Sequence, residues 1–127
     1  MRKLTLTLVF TVLFSSTSFA DWTEVSIGMN GNAYYVDFER IKKHDGYVYY
    51  WSLTDFLAPI EGYKSSQSYQ QLDCNLFRVM VLQLLSHTEY MGRGKTKVHN
   101  LPVQDWRYPP PNSHFERTVQ AVCEHVN

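Results

Sequence analysis

The C-terminal segment from Pro109 to Val126 constrains the fold most, because it marks where a helix begins and which face that helix buries. Its three successive prolines cannot continue an ordered element. Ser113, followed three residues later by Glu116, forms a capping box and predicts a helix start. One apolar stripe is then expected along this helix. The stripe consists of Phe115, Val119, Val122, Cys123 and Val126.

The two cysteines of the chain are Cys74 and Cys123. Cys123 belongs to the apolar stripe, and Cys74 lies between two strand-like runs, so a bond between them would fix the helix to a sheet. Disulfides persist in exported proteins, which meet an oxidising environment. We therefore expect an intramolecular Cys74–Cys123 disulfide. Two free thiols, or a bridge between two copies of the chain, are the alternatives.

Residues 1–20 have the pattern of a secretory signal peptide, with Arg2 and Lys3 before an apolar run and small residues before Asp21. The run is too short for a membrane anchor, which needs roughly 20 apolar residues. We expect cleavage between Ala20 and Asp21 and a domain over residues 21–127 that is periplasmic or secreted and not membrane-spanning. No cysteine stands near the cleavage point, so no lipid anchor is expected.

The charge left after cleavage bears on the partners of the domain. Loss of Arg2 and Lys3 leaves ten basic and twelve acidic residues, a formal charge of −2. A slightly acidic domain is not expected to bind nucleic acid. About 100 residues suit a single domain with one core. The sequence does not indicate the oligomeric state.

Between residue 21 and the helix, apolar and polar residues mostly alternate, which predicts β-strands. Strands are expected at residues 22–27, 33–36, 47–56, 64–71 and 76–85, with a helix as the alternative for the last, and short extended pieces at 97–99 and 104–106. These elements predict an α+β fold with a single antiparallel sheet of about five or six strands, a C-terminal helix packed on it and one disulfide.

Three expectations concern individual strands. The aromatic-rich strand 47–56 is expected to lie centrally, with Tyr47 to Trp51 mainly engaged in core and cross-strand packing. Residues 57–63, which include Pro59, are expected to form a connection. The polar strand 64–71 is expected to face solvent on one side, near an edge.

No catalytic or metal-binding pattern is recognisable in the sequence. The five histidines show no metal-ligand spacing, and we expect them to be solvent-exposed polar residues. Ser65, Ser66 and Ser68 lie in a polar strand with no identifiable base. The chain is therefore expected to be no enzyme and to need no cofactor or metal.

Four basic residues alternate along one stretch and form the candidate partner contact. If this stretch is extended, Arg93, Lys95, Lys97 and His99 lie on one face and form a positive stripe. Such a stripe suits an acidic partner. An edge strand protected by lysines against aggregation is the alternative explanation.

A succession of aromatic, cysteine and helix positions resembles a known family. It comprises Trp22, Tyr34 to Asp37, Ile41, Gly46 to Trp51, Ser65 to Ser68, Asp73-Cys74, Arg78, Trp106, Pro111, Ser113, Glu116 and Val122-Cys123. It resembles the surface-adhesin protein E-like domain of Gram-negative bacteria over essentially the whole of residues 21–127. The resemblance implies an antiparallel sheet with a C-terminal helix, tied by a disulfide, in an envelope or surface protein.

The function expected from this resemblance is non-enzymatic binding. The chain is expected to be an exported adhesin-like protein with a protein or acidic polymer partner, such as a host matrix or envelope protein. The alternative is a small exported enzyme inhibitor or hydrolase of the cell envelope. An inhibitor would present one exposed loop to an enzyme, whereas a hydrolase would show convergent polar groups with shifted pKa values.

Overall fold

The computed structural model of the protein describes residues 20–101 and 103–127. The predicted signal peptide therefore lies outside the described residues, apart from Ala20. Within the described part of the chain, no helix is long and apolar enough to cross a membrane.

Within residues 20–101 and 103–127, the fold consists of one antiparallel sheet of seven strands and one α-helix. The elements are β1 (Trp22–Ile27), β2 (Ala33–Asp37), β3 (Lys42–His44), β4 (Tyr47–Ile60), β5 (Tyr63–Asp73), β6 (Arg78–His87), β7 (Thr96–His99) and α1 (His114–Val126). The strand order is β1-β2-β4-β5-β6-β7, with β3 also paired to β4. The predicted α+β architecture is confirmed, with β3 as a strand that the sequence did not indicate.

The strands β2 and β3 pair with successive parts of the same edge of β4. Between them the chain leaves the sheet in a single 3-10 turn, Phe38–Arg40. The central part of β4, around Trp51, is therefore flanked on this side by a turn.

The helix α1 begins as the capping pattern predicts. The Ser113 hydroxyl accepts a hydrogen bond from the Glu116 amide at 3.0 Å, and the Glu116 carboxylate accepts one from the Asn112 amide at 3.4 Å. The apolar stripe faces one side of the sheet, where Val119, Val122 and Cys123 are buried. They share this core with Val36, Val48, Tyr50, Leu72 and Val79.

The Cys74–Cys123 disulfide joins α1 to the turn between β5 and β6, with 5.9 Å between the two Cα atoms. Asp73 shapes that turn, because its carboxylate accepts hydrogen bonds from the amides of Asn75 at 3.1 Å and Leu76 at 3.2 Å. These bonds and the Arg78 guanidinium hold the pKa of Asp73 below its usual value, although burial acts in the opposite direction. The predicted intramolecular disulfide is confirmed.

Two expectations about the hairpin of β4 and β5 are wrong. The polar strand β5 lies centrally, between β4 and β6, instead of near an edge. Residues 57–60 continue β4 instead of forming a connection. Regular pairing of β4 with its neighbouring strands ends at Asp55. Pro59 lies beyond that point, so its missing N–H removes no hydrogen bond from the regular part of the sheet.

Candidate functional site

The sheet face opposite α1 is rich in aromatic side chains that the helix does not cover. Tyr47, Tyr49 and Trp51 of β4 and Tyr69 of β5 lie there, all half-buried. We call this surface the aromatic face. The Tyr69 ring centroid lies 4.9 Å from that of Trp51 and 6.2 Å from that of Tyr49. The expected packing of this run takes two forms: Trp51 packs across strands on Tyr69, whereas the aromatic residue fully buried in the core is Tyr50, on the helix side.

The aromatic face extends at one end to Trp106. An isolated bridge between Val79 and Arg107 holds that segment against β6. The Trp106 ring lies 5.7 Å from that of Tyr47, and the Arg78 guanidinium lies over it at 4.2 Å. A cation above an aromatic ring is attracted by the ring quadrupole. The contact with Arg78 therefore helps to hold Trp106 in place at this end of the aromatic face.

The other end of the aromatic face is covered by the segment of residues 89–94, which we call the covering segment. The amide of Met91 donates to Asp55 at 2.8 Å, and the amide of Gly92 donates to the Ser65 hydroxyl at 3.0 Å. Gly92 has a φ of +71°, and a Cβ there would lie 3.2 Å from Leu53. Glycine therefore permits both the backbone conformation and the close approach to the buried Leu53.

His87 is buried beneath the covering segment, so the expectation that all histidines are solvent-exposed is wrong here. Its Nε2 lies 3.0 Å from the Gln67 amide oxygen and its Nδ1 lies 2.9 Å from the Thr96 hydroxyl. Because an amide oxygen only accepts, Nε2 carries the proton and Nδ1 accepts from Thr96. Burial lowers the pKa of His87, which favours this neutral form.

Two open cavities of about 570 and 530 Å³ lie on this face, and Arg40 lines both. We call the pair the aromatic groove. The first cavity is lined by Trp22, Gln67, Met91 and Arg93, among others. The second is lined by Glu39, Lys42, Trp51, Tyr69 and Gln83. The groove therefore offers aromatic rings, amides and cations along one surface.

Arg40 stands between the two cavities because of a buried carboxylate. Asp37 is 1% exposed, and neither of its side-chain oxygens has a hydrogen-bond partner among the described residues. The Arg40 Nε atom lies 3.4 Å from its Oδ2. A buried carboxylate without a cation is strongly destabilising, so Asp37 holds the guanidinium at this place.

The four basic residues of the candidate contact occupy one edge of the sheet but not one face. His99 Nε2 lies 2.7 Å from the Ser86 hydroxyl, and Ser86 is also the register partner of Lys97. Lys97 and His99 thus share the face that carries the helix. Arg93 precedes the strand and lines the groove on the opposite face. Lys95 lies between them, exposed, with its amide 2.8 Å from the Thr88 hydroxyl.

The helix side contains a smaller polar cavity of about 100 Å³. The Tyr50 hydroxyl donates to the Gln70 amide oxygen, and the Gln70 nitrogen donates to the Ser68 hydroxyl at 2.7 Å. Ser52 and Ser68 also lie 2.7 Å apart. Burial raises the pKa of Tyr50, which keeps its phenol neutral. Within this network the polar side chains form hydrogen bonds with one another, which explains how a polar strand can lie centrally in the sheet.

His114 closes one end of that cavity. Its ring stacks on Tyr34 with 3.7 Å between the ring centroids and 4° between the planes. Burial, with a smaller contribution from Arg117, lowers the pKa of His114. The expected exposure is therefore wrong for this histidine too, and its role here is packing.

Ser86 and His99 form the arrangement most similar to a nucleophile with its base. A catalytic histidine needs a third group that orients it. Among the described residues, no carboxylate pairs with His99, whose ring is bonded through Nε2 to Ser86. Nor does the described part of the chain contain three or more His, Cys, Asp or Glu grouped to hold a metal ion.

The comparisons with known proteins agree with this fold. The family model described as "Surface-adhesin protein E" matches residues 22–124. Crystal form II of Haemophilus influenzae protein E is similar in structure, with a TM-score of 0.65 and 16% sequence identity over 81% of this chain and 87% of that one. Protein E from non-typeable Haemophilus influenzae gives a TM-score of 0.59 and 16% identity over 81% and 75%. Sequence comparison with curated proteins finds no match.

Proposed function

This chain belongs to the surface-adhesin protein E family, and we propose that it is an exported, non-enzymatic protein that binds a protein or an acidic polymer. The observation that carries the proposal is the aromatic groove, where Trp51 and Tyr69 remain half-buried beside two open cavities. Aromatic residues and arginine are the side chains that most often dominate binding energy at interfaces. The groove is therefore the proposed contact surface.

Export is supported by two independent features. Residues 1–20 have the pattern of a signal peptide. The Cys74–Cys123 disulfide suits a compartment in which disulfides persist. These features support a location in the periplasm or outside the cell.

The basic edge, Arg93, Lys95, Lys97 and His99, remains a proposed second contact. Arg93 belongs to both surfaces, because it lines the groove and begins the basic stretch. Lys95 and Lys97 are exposed and have no ion-pair partner among the described residues. Exposed charges of this kind increase association rates with a partner of opposite charge, and salt screens the effect.

Partner capture tests the proposal. The protein, purified after export, is immobilised and exposed to envelope extract and separately to host matrix proteins. We expect a partner retained by the parent protein and lost by Trp51→Ala. The double variant Lys95→Glu with Lys97→Glu should lower the association rate while leaving the melting temperature nearly unchanged.

Lys43→Glu is the matched control. Lys43 is exposed but lies on the helix side, with its Nζ atom 3.2 Å from the Val126 carbonyl. This variant should retain the partner. Equal retention of the partner by the parent and by Trp51→Ala would show that the groove is not the contact surface. Unaltered binding by the double variant would show that Lys95 and Lys97 protect the sheet edge against aggregation and do not contact the partner.

An enzyme inhibitor is the second candidate, and the end of the β4–β5 hairpin favours it. Leu57 and Ile60 are 70% and 52% exposed there, so the tip could enter an enzyme cleft. If Leu57→Ser with Ile60→Ser loses the captured partner and Trp51→Ala keeps it, the hairpin tip is the contact and the protein is better described as an inhibitor.

A further inference from the structure

We propose that the ligand of the aromatic groove is an anionic polysaccharide, a chain of pyranose rings that carry carboxylate or sulfate groups. This inference rests on the proposed function and specifies its ligand. Four properties of the groove lead to it: its charge, its aromatic surfaces, its hydrogen-bonding groups and its geometry.

The charge of the groove favours an anion. Its two cavities are lined by Arg40, Lys42 and Arg93, whereas Glu39 is the single carboxylate among their lining residues. Asp37 compensates Arg40. Lys42 and Arg93 have no ion-pair partner in the described part of the chain. The expected domain is slightly acidic as a whole, so the cations of the groove form a local excess of positive charge.

The aromatic side chains supply apolar surfaces that charge alone would not require. Trp22 lines one cavity, and Trp51 and Tyr69 line the other. The face of an aromatic ring is negative and attracts the weakly positive C–H groups on the face of a pyranose ring. A flexible acidic peptide presents no such repeated flat C–H surface.

The remaining lining groups suit hydroxyl groups. Gln67 lines the first cavity and Gln83 the second. The Gln67 oxygen already accepts from His87, so Gln67 offers its N–H donors, whereas the Gln83 amide and the Tyr69 hydroxyl each offer a donor and an acceptor. A sugar hydroxyl also donates and accepts, so a pyranose chain can satisfy both kinds of group. The backbone of a proline-rich peptide offers carbonyl acceptors but no proline N–H donors, so it matches the amides only in part.

The geometry suits a polymer better than a single sugar. Both cavities are open, and Arg40 separates them on one surface. Residues at i and i+2 of one strand are spaced by about 6.8 Å, and Tyr49 and Trp51 continue the aromatic face along β4 in this way. A chain of several rings can therefore contact both cavities at once.

Binding of defined polymers tests the inference. Calorimetric or fluorescence titration would compare polygalacturonate, which has rings and charge, with poly-L-glutamate, which has charge alone, and dextran, which has rings alone. We expect polygalacturonate to bind about tenfold or more tightly than either, a difference of about 1.4 kcal/mol or more. Its affinity should fall as salt rises.

Matched variants test where the polymer binds. Trp51→Ala should weaken polygalacturonate binding about tenfold, within the range seen for stacking on an aromatic side chain, and Tyr63→Ala, at the far end of β5, should not. Lys42→Glu should weaken binding, whereas Lys43→Glu, one residue on and facing the helix side, should not. Arg40 is unsuitable, because its loss would leave Asp37 unpaired.

The outcomes separate this inference from the proposed function. Equal affinity for polygalacturonate and poly-L-glutamate would overturn the role of the rings, and equal affinity for dextran would overturn the role of the charge. If no polymer binds, but a captured protein or a proline-rich peptide still depends on Trp51, the polysaccharide is wrong and the binding function stands. If neither polymer nor partner depends on Trp51, both proposals fail.

Discussion

Loss of the Cys74–Cys123 disulfide should cost a large part of the stability of this domain. The bond joins residues 49 apart in sequence. By the loop-entropy relation, closing a loop of this length in the unfolded chain contributes about 4 kcal/mol. Native domains of this size have a total stability of about 5–15 kcal/mol, so the disulfide is a major part of it.

The assay is thermal unfolding of the parent protein, oxidised and reduced, and of Cys74→Ala with Cys123→Ala. For a domain of about 100 residues, 4 kcal/mol corresponds to a decrease in melting temperature of about 15–25 °C. The double variant also removes buried Cys123 packing, so the reduced parent gives the cleaner measurement. The oxidised protein should contain no titratable thiol.

Two results would refute this reasoning. Two titratable thiols in the protein purified after export would show that the bond does not form in the cell. A decrease of only a few degrees on reduction, with the bond formed beforehand, would show that α1 is held on the sheet by its apolar stripe alone.

Three further predictions concern single side chains. Tyr50→Ala should destabilise the domain by about 3–5 kcal/mol, as for large aromatic residues in cores. Trp51→Ala should cost clearly less, because Trp51 is only half-buried, and equal losses of stability in urea unfolding would place Trp51 in the core. Ser113→Ala should cost about 1 kcal/mol through loss of the helix cap, and an unchanged unfolding midpoint would contradict that role. The pKa of His87 is lowered on folding, so its contribution to stability is complete above its unfolded pKa of about 6.5 and is lost as the pH falls from there through the lower folded-state pKa. His87→Gln should flatten that decline in melts between pH 7.5 and 5, and an unchanged slope would assign the decline to other groups.

The strand boundaries that the sequence predicted correctly are those with a strong local signal. Residues 22–27 are followed by Asn30-Gly31, a pair that favours a tight turn, and the strand has the predicted bounds. The helix was predicted from Ser113 because the cap, the prolines and the apolar stripe all agree. Local chemistry is sufficient in such segments.

The position of β5 could not be predicted from its own sequence. When β5 is considered without its neighbouring strands, its serines and glutamines predict a solvent-exposed strand. In the fold, Gln70 and Ser68 of β5 meet Tyr50 and Ser52 of β4 and satisfy their hydrogen bonds. The partners lie 16 to 20 residues apart, so only the pairing register reveals that the strand is buried.

The aromatic groove was missed for a related reason. Its residues come mainly from β1, the 3-10 turn after β2, β3, the β4–β5 hairpin, β6 and the covering segment. Alternation along a strand places Tyr49 and Trp51 on one face, but it does not determine which face α1 covers. That choice depends on the apolar residues Val48 and Tyr50, which the helix buries.

Photocrosslinking tests most directly whether the aromatic face is the binding surface. A photoreactive benzophenone side chain would be introduced at Tyr69, in the groove, or at Tyr63, near the hairpin tip of the same strand. Irradiation would follow in cells and in the presence of host matrix proteins. We predict a crosslinked product from position 69 and none from position 63. Crosslinking only from position 63, or equally from both, would contradict the aromatic groove as the binding surface.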